Sequence, residues 1–523
     1  MSDSTTQQTA PVAPMTHREV LEALSGLILA MFVAMLASTV VSNALPVIVH
    51  DLKGTESGYT WVMVSTLLAL TATTPIWGKL ADLFDKKVLV QSALVVYVAG
   101  SLLAACAQSM EMLIGARVIQ GLGVGGLTAL VQIVIASIVA PIDRGRYSGY
   151  IGAAFAVATV SGPLIGGVVV DTLGWRWCFL VALPFAVLAF VVLQRTLHLP
   201  DVVRRKVKID YAGATLIAGG LSLLLAWVSL AGSSFAWAST QTALLVTGGV
   251  LALVLAVVVE SKVAEPMIPL HLFRNRTITL AVIASLAVGV AMFGSTVFLA
   301  QYFQLSHGLT PTEAGLMSLP LVLGLLVASI ASGRRISRTG LWKNVLVLGA
   351  SVMALGVALL STIDGSTHLW VVGAWMAVMG LGIGALQQNL VLAVQNSVRH
   401  SDVGAASSLV ATFRTMGGAV GVALLGTALS HRVADNVAAG MARLGVHTSA
   451  KGHTEIPDLS TLPGPARQVV MGAFGEATGH LFLLVVPAAL LTVLVVALVR
   501  EVRLRTTVQH ADELAPDLAA VVE

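Results

Sequence analysis

Fourteen apolar stretches, each about as long as a lipid bilayer is thick, run the length of this chain. They lie at approximately residues 24–49, 58–78, 88–108, 112–138, 147–170, 177–197, 210–231, 241–260, 277–303, 313–333, 343–362, 368–394, 404–430 and 477–499. A bilayer core about 30 Å thick takes about 20 apolar residues to cross as a helix. Inside lipid only helices and closed barrels satisfy every backbone donor and acceptor, and these stretches lack the two-residue alternation of barrel strands. The expected fold is therefore an all-α polytopic membrane protein. Composition agrees: 56% of the residues are hydrophobic, 11% are charged, and the mean hydropathy is +0.89. Such a chain cannot be a soluble globular protein. The first stretch has no small-residue cleavage site and reads as a retained helix rather than a removable signal peptide.

The loops orient the chain. With the amino terminus in the cytoplasm, the inner loops and tails hold 22 of the 30 Lys and Arg residues, and the outer side has Lys53, Arg176 and four more in one long loop. Positive charge collects on the cytoplasmic side of membrane proteins, so both termini are expected there, in a multi-pass protein of the cell membrane. The same asymmetry accounts for a pI near 9.1 without nucleic acid. Cys106 and Cys178 both fall in apolar stretches, which predicts neither a disulfide framework nor a metal site. No cofactor is expected. The loop 431–476 is read as extracellular, and "VADNVAAGMARLGV" within it fits either a short amphipathic helix or loose chain.

Three motifs carry mechanism. After the second stretch comes "GKLADLFDKKVLV", where Gly78 permits a tight approach, Lys86 and Lys87 hold the inner face, and Asp82 is placed to pair with a base or a neighbouring helix amino terminus. In the fourth, "RVIQGLGVGGLTALVQ" sets Arg117, Gln120 and Gly121 among glycines that let helices approach closely, and a buried Arg in lipid is costly enough to suggest function. In the fifth, "SGPLIGG" places Pro163 between Gly162 and the pair Gly166–Gly167, where the missing donor and flanking glycines allow a bend.

In this order and on these loops, the motifs resemble those of the major facilitator superfamily, and most closely its 14-helix branch of drug:proton antiporters of the quaternary-ammonium and multidrug exporter type. "GWRWCFLVALP", from Gly174, resembles that branch's entry to the sixth helix. The resemblance implies a conformational-switch motif at Gly78, Asp82, Lys86 and Lys87, a fourth-helix motif at Arg117, Gln120 and Gly121, and an antiporter motif at Gly162, Pro163, Gly166 and Gly167. It also implies two pseudo-symmetric six-helix bundles plus two extra linking helices. The expected organisation is a cytoplasmic tail 1–22, an N-terminal bundle 23–197, a linker 198–276 with the extra pair, a C-terminal bundle 277–500 and a cytoplasmic tail 501–523. "GRRISRTGLWK", from Gly333, repeats the loop motif in degraded form, with Ser337 where Asp82 stands. Substrate would then bind near the midplane, between the bundles.

Two departures matter. Asp85 stands where the family's loop motif usually has glycine. In addition, the exporter branch often carries an acid in the first helix, and alignment on "TVVSNALP" puts Ala37 there. No stretch has a carboxylate near its middle, so proton coupling would fall to rim groups: Asp171, Glu313, Glu476 and His480. The plainer reading of each is a solvated helix-end charge, with Glu313 and Glu476 as acids favoured by a helix amino terminus. Arg117 and Arg414, the only in-span charges, are candidate counter-charges for anionic or neutral amphiphiles. The competing reading has both bonded to carbonyls or polar side chains of adjacent helices. Candidate substrate contacts are Ser38, Ser42, Asn43, Gln132, Gln301, Gln304, Gln387, Gln388, Asn389 and Arg414, some of which could instead join helices.

The expected function is secondary export of small amphipathic drugs or antibiotics by alternating access, with protons as the coupling ion that the resemblance implies, in a monomer. The rivals are a narrow exporter of one endogenous metabolite or lipid, and a non-transporting membrane sensor on the same scaffold. An ATP-driven pump is not expected, since the chain has no GxxxxGK[ST] loop, and neither is an enzyme.

Overall fold

A computed structural model of the chain describes residues 17–53, 56–139, scattered positions between 143 and 170, 172–197, 210–232, 235–263, 266, 270–399, 402–443 and 464–504. Side chains at 17–19, 37–39, 42, 43, 46, 50, 56–60, 63, 64, 229, 311, 312, 423 and 430 also lie outside the description.

The described chain is helical. The N-terminal part contributes α1 (His17–Asp51), α2 (Glu56–Leu83), α3 (Lys86–Ala105), α4 (Met110–Ile138), α5 (Arg176–Leu180) and α6 (Leu183–Thr196). Positions described within 147–170 are helical too. Next come α7 (Tyr211–Leu230) and α8 (Thr240–Glu260). The C-terminal part contributes α9 (Arg276–Leu305), α10 (Pro311–Leu316), α11 (Leu319–Thr339), α12 (Lys343–Leu360), α13 (Leu369–Asn396), α14 (Val403–Arg443) and α15 (Gly464–Ala497). Among the described residues, eleven helices are long and apolar enough to cross a membrane.

The helix starts follow from local chemistry. Asp85, where the family motif usually has glycine, caps α3 by accepting from Lys87 N at 2.8 Å, and Ser109 caps α4 by accepting from Met112 N at 3.2 Å. Each satisfies a donor that a helix start would otherwise leave orphaned.

Buried apolar side chains form two large clusters. One runs from Val20 to Leu197; the other runs from Leu272 to Leu504, with Ala136 at the end of α4 as its one member from the N-terminal part. A third, small cluster joins Ile217 and Leu221 of α7 and Ala256 of α8 to Ile76 of α2 and Met416 of α14. The pair α7–α8 thus packs along the seam where the two bundles meet. Outward faces of α8 and α15 expose Leu244, Val254, Leu490 and Leu494, which carries no penalty where the solvent is lipid.

The internal repeat is written in glycines. On α4, side chains built at Gly121 and Gly125 would strike the α2 carbonyls of Thr66 and Leu70, and one at Gly123 would strike Tyr97 of α3. On α13, Gly380 and Gly384 press against the α11 carbonyls of Leu321 and Leu325, and Gly382 against Met353 of α12. The same spacing makes the same three-helix contact in each half, with small residues bringing backbones together where no hydrophobic driving force exists.

Two expectations are corrected. The loop read at 431–476 is mostly helix: α14 runs without a break to Arg443 and α15 begins at Gly464, leaving only 444–463, outside the described residues. "VADNVAAGMAR" is therefore not a separate surface helix. Its Ala- and Val-rich face continues the apolar face of α14, and Val433 belongs to the C-terminal core. Glu476 and His480 consequently lie more than three turns into α15 rather than at its start. The helix-end dipole, which fades within the first turn, does not explain Glu476; its carboxylate instead accepts from Asn436 Nδ2 of α14 at 3.4 Å.

Candidate transport pathway and its cross-bundle lock

Gly78 and Asp82 lie one turn apart near the end of α2, facing the start of α14. A side chain on Gly78 would collide with Ser408, and one on Gly404 would collide with the Gly78 carbonyl and with Asp82. The two bare backbones therefore touch, and the contact delivers the Asp82 carboxylate to the amino terminus of α14. Oδ1 accepts from Gly404 N and Oδ2 from Ala405 N, each at 3.0 Å. Two orphan amides and the positive end of a helix dipole here meet one negative charge. Lys87 Nζ donates to the carbonyl of Gln194 near the carboxyl end of α6 at 2.9 Å, a cation at the helix end that favours one.

Arg144 makes a second cross-bundle link. Its side chain is 7% exposed and closes the end of α4: Nε donates to Val139 O at 2.8 Å and NH2 to Ala136 O at 2.6 Å. NH1 crosses the seam to Gln395 Oε1 of α13 at 3.0 Å, and Gln395 Nε2 donates onward to Ser407 Oγ of α14 at 3.0 Å. The planar fork of a guanidinium suits three fixed acceptors in this way. A third link lies two turns deeper along α13, where Gln132 Nε2 donates to Gln388 Oε1 at 2.8 Å. The first two links lie at the end of the molecule that carries the basic loops, and the third lies deeper along the same seam.

The structure sorts the other candidates. Arg117, 2% exposed, donates from Nε to Val62 O at 3.3 Å and bonds Gln120 Oε1, and Gln120 Nε2 donates to Ser101 Oγ at 2.8 Å. Of the two readings open for Arg117, the structure holds the one in which it joins α4 to α2 and α3 inside its own bundle. Asn389 likewise joins α13 to α11 through Ser332 Oγ at 3.0 Å. Gln387 is buried, while Gln301, Gln304 and Arg414 keep partial exposure; the Arg414 backbone packs on α9 at Gly289. Gly166, in the fifth stretch, presses on the Val40 carbonyl of α1 at 2.8 Å from where its Cβ would be, and Gly162 is buried. Pro163, Gly167 and Asp171, and the side chains of Ser38, Ser42 and Asn43, lie outside the described residues.

Glu313 is exposed and fully engaged in a capping box: Oε2 accepts from Thr310 N at 2.8 Å, and its own N donates to Thr310 Oγ1 at 3.3 Å. The motif "GWRW" is tied to α1, since Trp175 Nε1 donates to Asp51 Oδ2 at 2.7 Å and Arg176 pairs with the same oxygen at 3.3 Å. Arg144 and Gln395 escaped the sequence reading. The available signal was an Arg just past a helix end and a Gln at the matching end of another, but only the fold shows that the two ends meet.

Two helical bundles with charged locks at one end and buried amides along the seam define a multi-pass membrane transporter rather than an enzyme. The chain belongs to the Major Facilitator Superfamily, whose family model matches residues 27–422. It is 36% identical over 410 residues to the multidrug transporter protein MdtP of Bacillus subtilis, covering 78% of this chain and 75% of that one. It is 33% identical over 495 residues to the efflux pump dotC of Dothistroma septosporum, covering 92% and 84%. Among solved structures, it superposes with a TM-score of 0.59 and 14% identity on the proton:xylose symporter XylE, covering 96% and 99%. That likeness is one of fold.

Proposed function

We propose that this protein is a monomeric efflux transporter of the cell membrane that exports small amphipathic drugs or antibiotics by alternating access, coupled to protons. The observation that carries the reading is the Asp82 clamp on the start of α14. It joins the two bundles through hydrogen bonds that a relative rocking motion can break and remake. With both termini in the cytoplasm, as the lysine and arginine bias indicates, these links would hold the two bundles together toward the cytoplasmic side. Relatives named as a multidrug transporter and an efflux pump support export of foreign or toxic molecules.

Gln301, Gln387 and Gln388 would be polar contacts for the substrate on an otherwise mostly apolar surface, and the partly exposed Arg414 its candidate counter-charge. With Ala37 in place of an acid, the first helix gives a lipophilic cation no anionic partner, so neutral or anionic amphiphiles are the favoured substrates. The test is transport in proteoliposomes under an imposed pH gradient, with a cationic dye and a neutral amphiphile side by side. Gradient-driven movement of the neutral compound supports the reading. Movement of neither compound, or movement indifferent to the gradient, defeats it.

A further inference from the structure

The chain's carboxyl end fastens the inner end of the C-terminal bundle. Past α15, residues 501–504 cross the turn between α11 and α12. Glu501 Oε1 accepts from Trp342 N and from Lys343 N, each at 3.0 Å, where α12 starts. Trp342, 1% exposed, donates from Nε1 to Val502 O at 2.8 Å, and Leu504 N donates to Gly340 O at 3.2 Å. Trp342 and Leu504 both belong to the C-terminal core. A further bond ties in α13: its last residue, the buried Asn396, donates from Nδ2 to Arg503 O at 3.2 Å.

The loop repeat explains why the chain end is needed there. Aligning "GRRISRTGLWK" on "GKLADLFDKKV" sets Gly340 opposite Asp85. Asp85 caps α3 from within its own loop. Gly340 instead has φ +69°, a left-handed helix end that favours glycine, and Trp342 gives α12 no side-chain cap. Glu501, 158 residues beyond Lys343, supplies the acceptor and sets a carboxylate at the positive end of the helix. A cap that one half makes locally is made in the other by the end of the chain. The exchange ties together α12, α13 and the segment after α15.

The consequence reaches the seam. Asn396 follows Gln395, and neighbouring residues on a helix point about 100° apart. Asn396 holds the terminal segment, while Gln395 takes the bond from Arg144 of the other bundle and passes one on to Ser407. We propose that residues 501–504 form a strap that positions Gln395 for its bond to Arg144, with Glu501 and Asn396 as the positioning residues. With the strap in place, the inner ends of α12 and α13 move as one piece, and the Arg144 link breaks only when the whole bundle rocks. Without it, the last turn of α13 loses this tie to α12, and the link loosens with each local opening of that turn. The inference deepens the proposed alternating access and rests on that reading for its part in transport; the strap's hold on Gln395 does not depend on it.

The test is hydrogen–deuterium exchange of the full-length protein in lipid nanodiscs, read by mass spectrometry on the peptide that covers the end of α4. Arg144 closes that end, which lies in the other bundle, beyond the link. Glu501→Ala should speed exchange there roughly threefold or more, as expected between members of one network. In a Gln395→Ala background, where the link is already cut, the same substitution should add less than about twofold. Exchange at α4 left unchanged, with or without faster exchange at the start of α12, would reduce Glu501 to a local cap and overturn the proposal. An equal increase at α4 in both backgrounds would mean a general loosening of the fold and would overturn it too. Should Glu501→Ala fail to fold, Glu501→Gln, which keeps an acceptor and loses the charge, runs the same cycle, and the same outcomes decide it. The readout needs neither substrate nor gradient, so an intact cycle beside failed gradient-driven transport would refute the export reading and leave the strap standing.

Discussion

The carboxylate of Asp82 holds two amides in the first turn of α14, those of Gly404 and Ala405, with one oxygen for each. The symmetry of that clamp makes its loss predictable. Asn keeps one acceptor and loses the charge, and a hydrogen bond to a charged group contributes about 1.5–3 kcal/mol. Asp82→Asn should therefore move the balance between closed and open cytoplasmic ends by roughly ten- to a hundredfold, where 1.36 kcal/mol is a factor of ten. Initial efflux should fall while the protein still reaches the membrane. Labelling of a cysteine placed on the cytoplasmic side of the seam reads the shift directly, and unchanged labelling would remove the clamp from the mechanism.

Gly404→Ala tests the same clamp from the other side. The added methyl would overlap the Gly78 carbonyl and Asp82 together, neither of which can yield without separating α2 from α14. The variant should resemble Asp82→Asn in transport and in labelling. An Ala at Gly174, where a Cβ meets nothing but the backbone φ is +87°, should instead cost fold stability without changing the lock. A matched loss of transport in both would mean that misfolding, not the clamp, explains the first.

Arg144 satisfies three acceptors on two bundles. Lysine has the charge but not the fork, so Arg144→Lys should keep the bonds that close α4 better than the bond to Gln395. In a double-mutant cycle with Gln395→Ala, the coupling should be of the order of 0.5–3 kcal/mol, as for residues within one network. Additive effects on the transport rate would show that the bond across the seam does not form part of the working cycle.

Much of this was legible in the sequence because membrane physics is strict. Run length and the absence of strand periodicity dictated helices, and the loop glycines with Asp82 pointed to a helix amino terminus as partner. The glycine ladder of α4 is legible as close packing, whereas its copy at Gly380, Gly382 and Gly384 shows as a repeat only in the helix contacts of the fold. What stayed hidden depends on distances that sequence separation does not encode. Arg144 and Gln395 are 251 residues apart, and each alone reads as a polar helix end. The extension of α14 to Arg443 was missed because Arg432 and Asp435 end the apolar run while the helix continues beyond it.

The capping box at Glu313 yields a contrast. Its carboxylate is exposed and bonded to Thr310 at both backbone and hydroxyl. Glu313→Gln keeps an acceptor for both, so gradient-driven transport should stay within twofold of wild type. A collapse of coupling in that variant would return Glu313 to the proton path.

Acidification should act at the opposite end of the molecule through His307, in the turn between α9 and α10. Tyr302 OH donates to the carbonyl of Asp364 at 2.7 Å, so toward His307 Nε2, at 2.9 Å, it can only accept. The neutral ring with its proton on Nε2 fits that arrangement. Burial holds the His307 pKa below its ordinary 6.5, so the unfolded chain takes up the proton at a higher pH than the folded one. The stability contributed by the neutral ring is therefore complete above about pH 6.5 and is lost as the pH falls through that value toward the folded pKa. Thermal unfolding in nanodiscs should show a midpoint that declines over this window in the wild type. His307→Gln, which can donate to Tyr302 but cannot titrate, should flatten the decline. A wild type and variant with parallel pH profiles would place the acid sensitivity elsewhere.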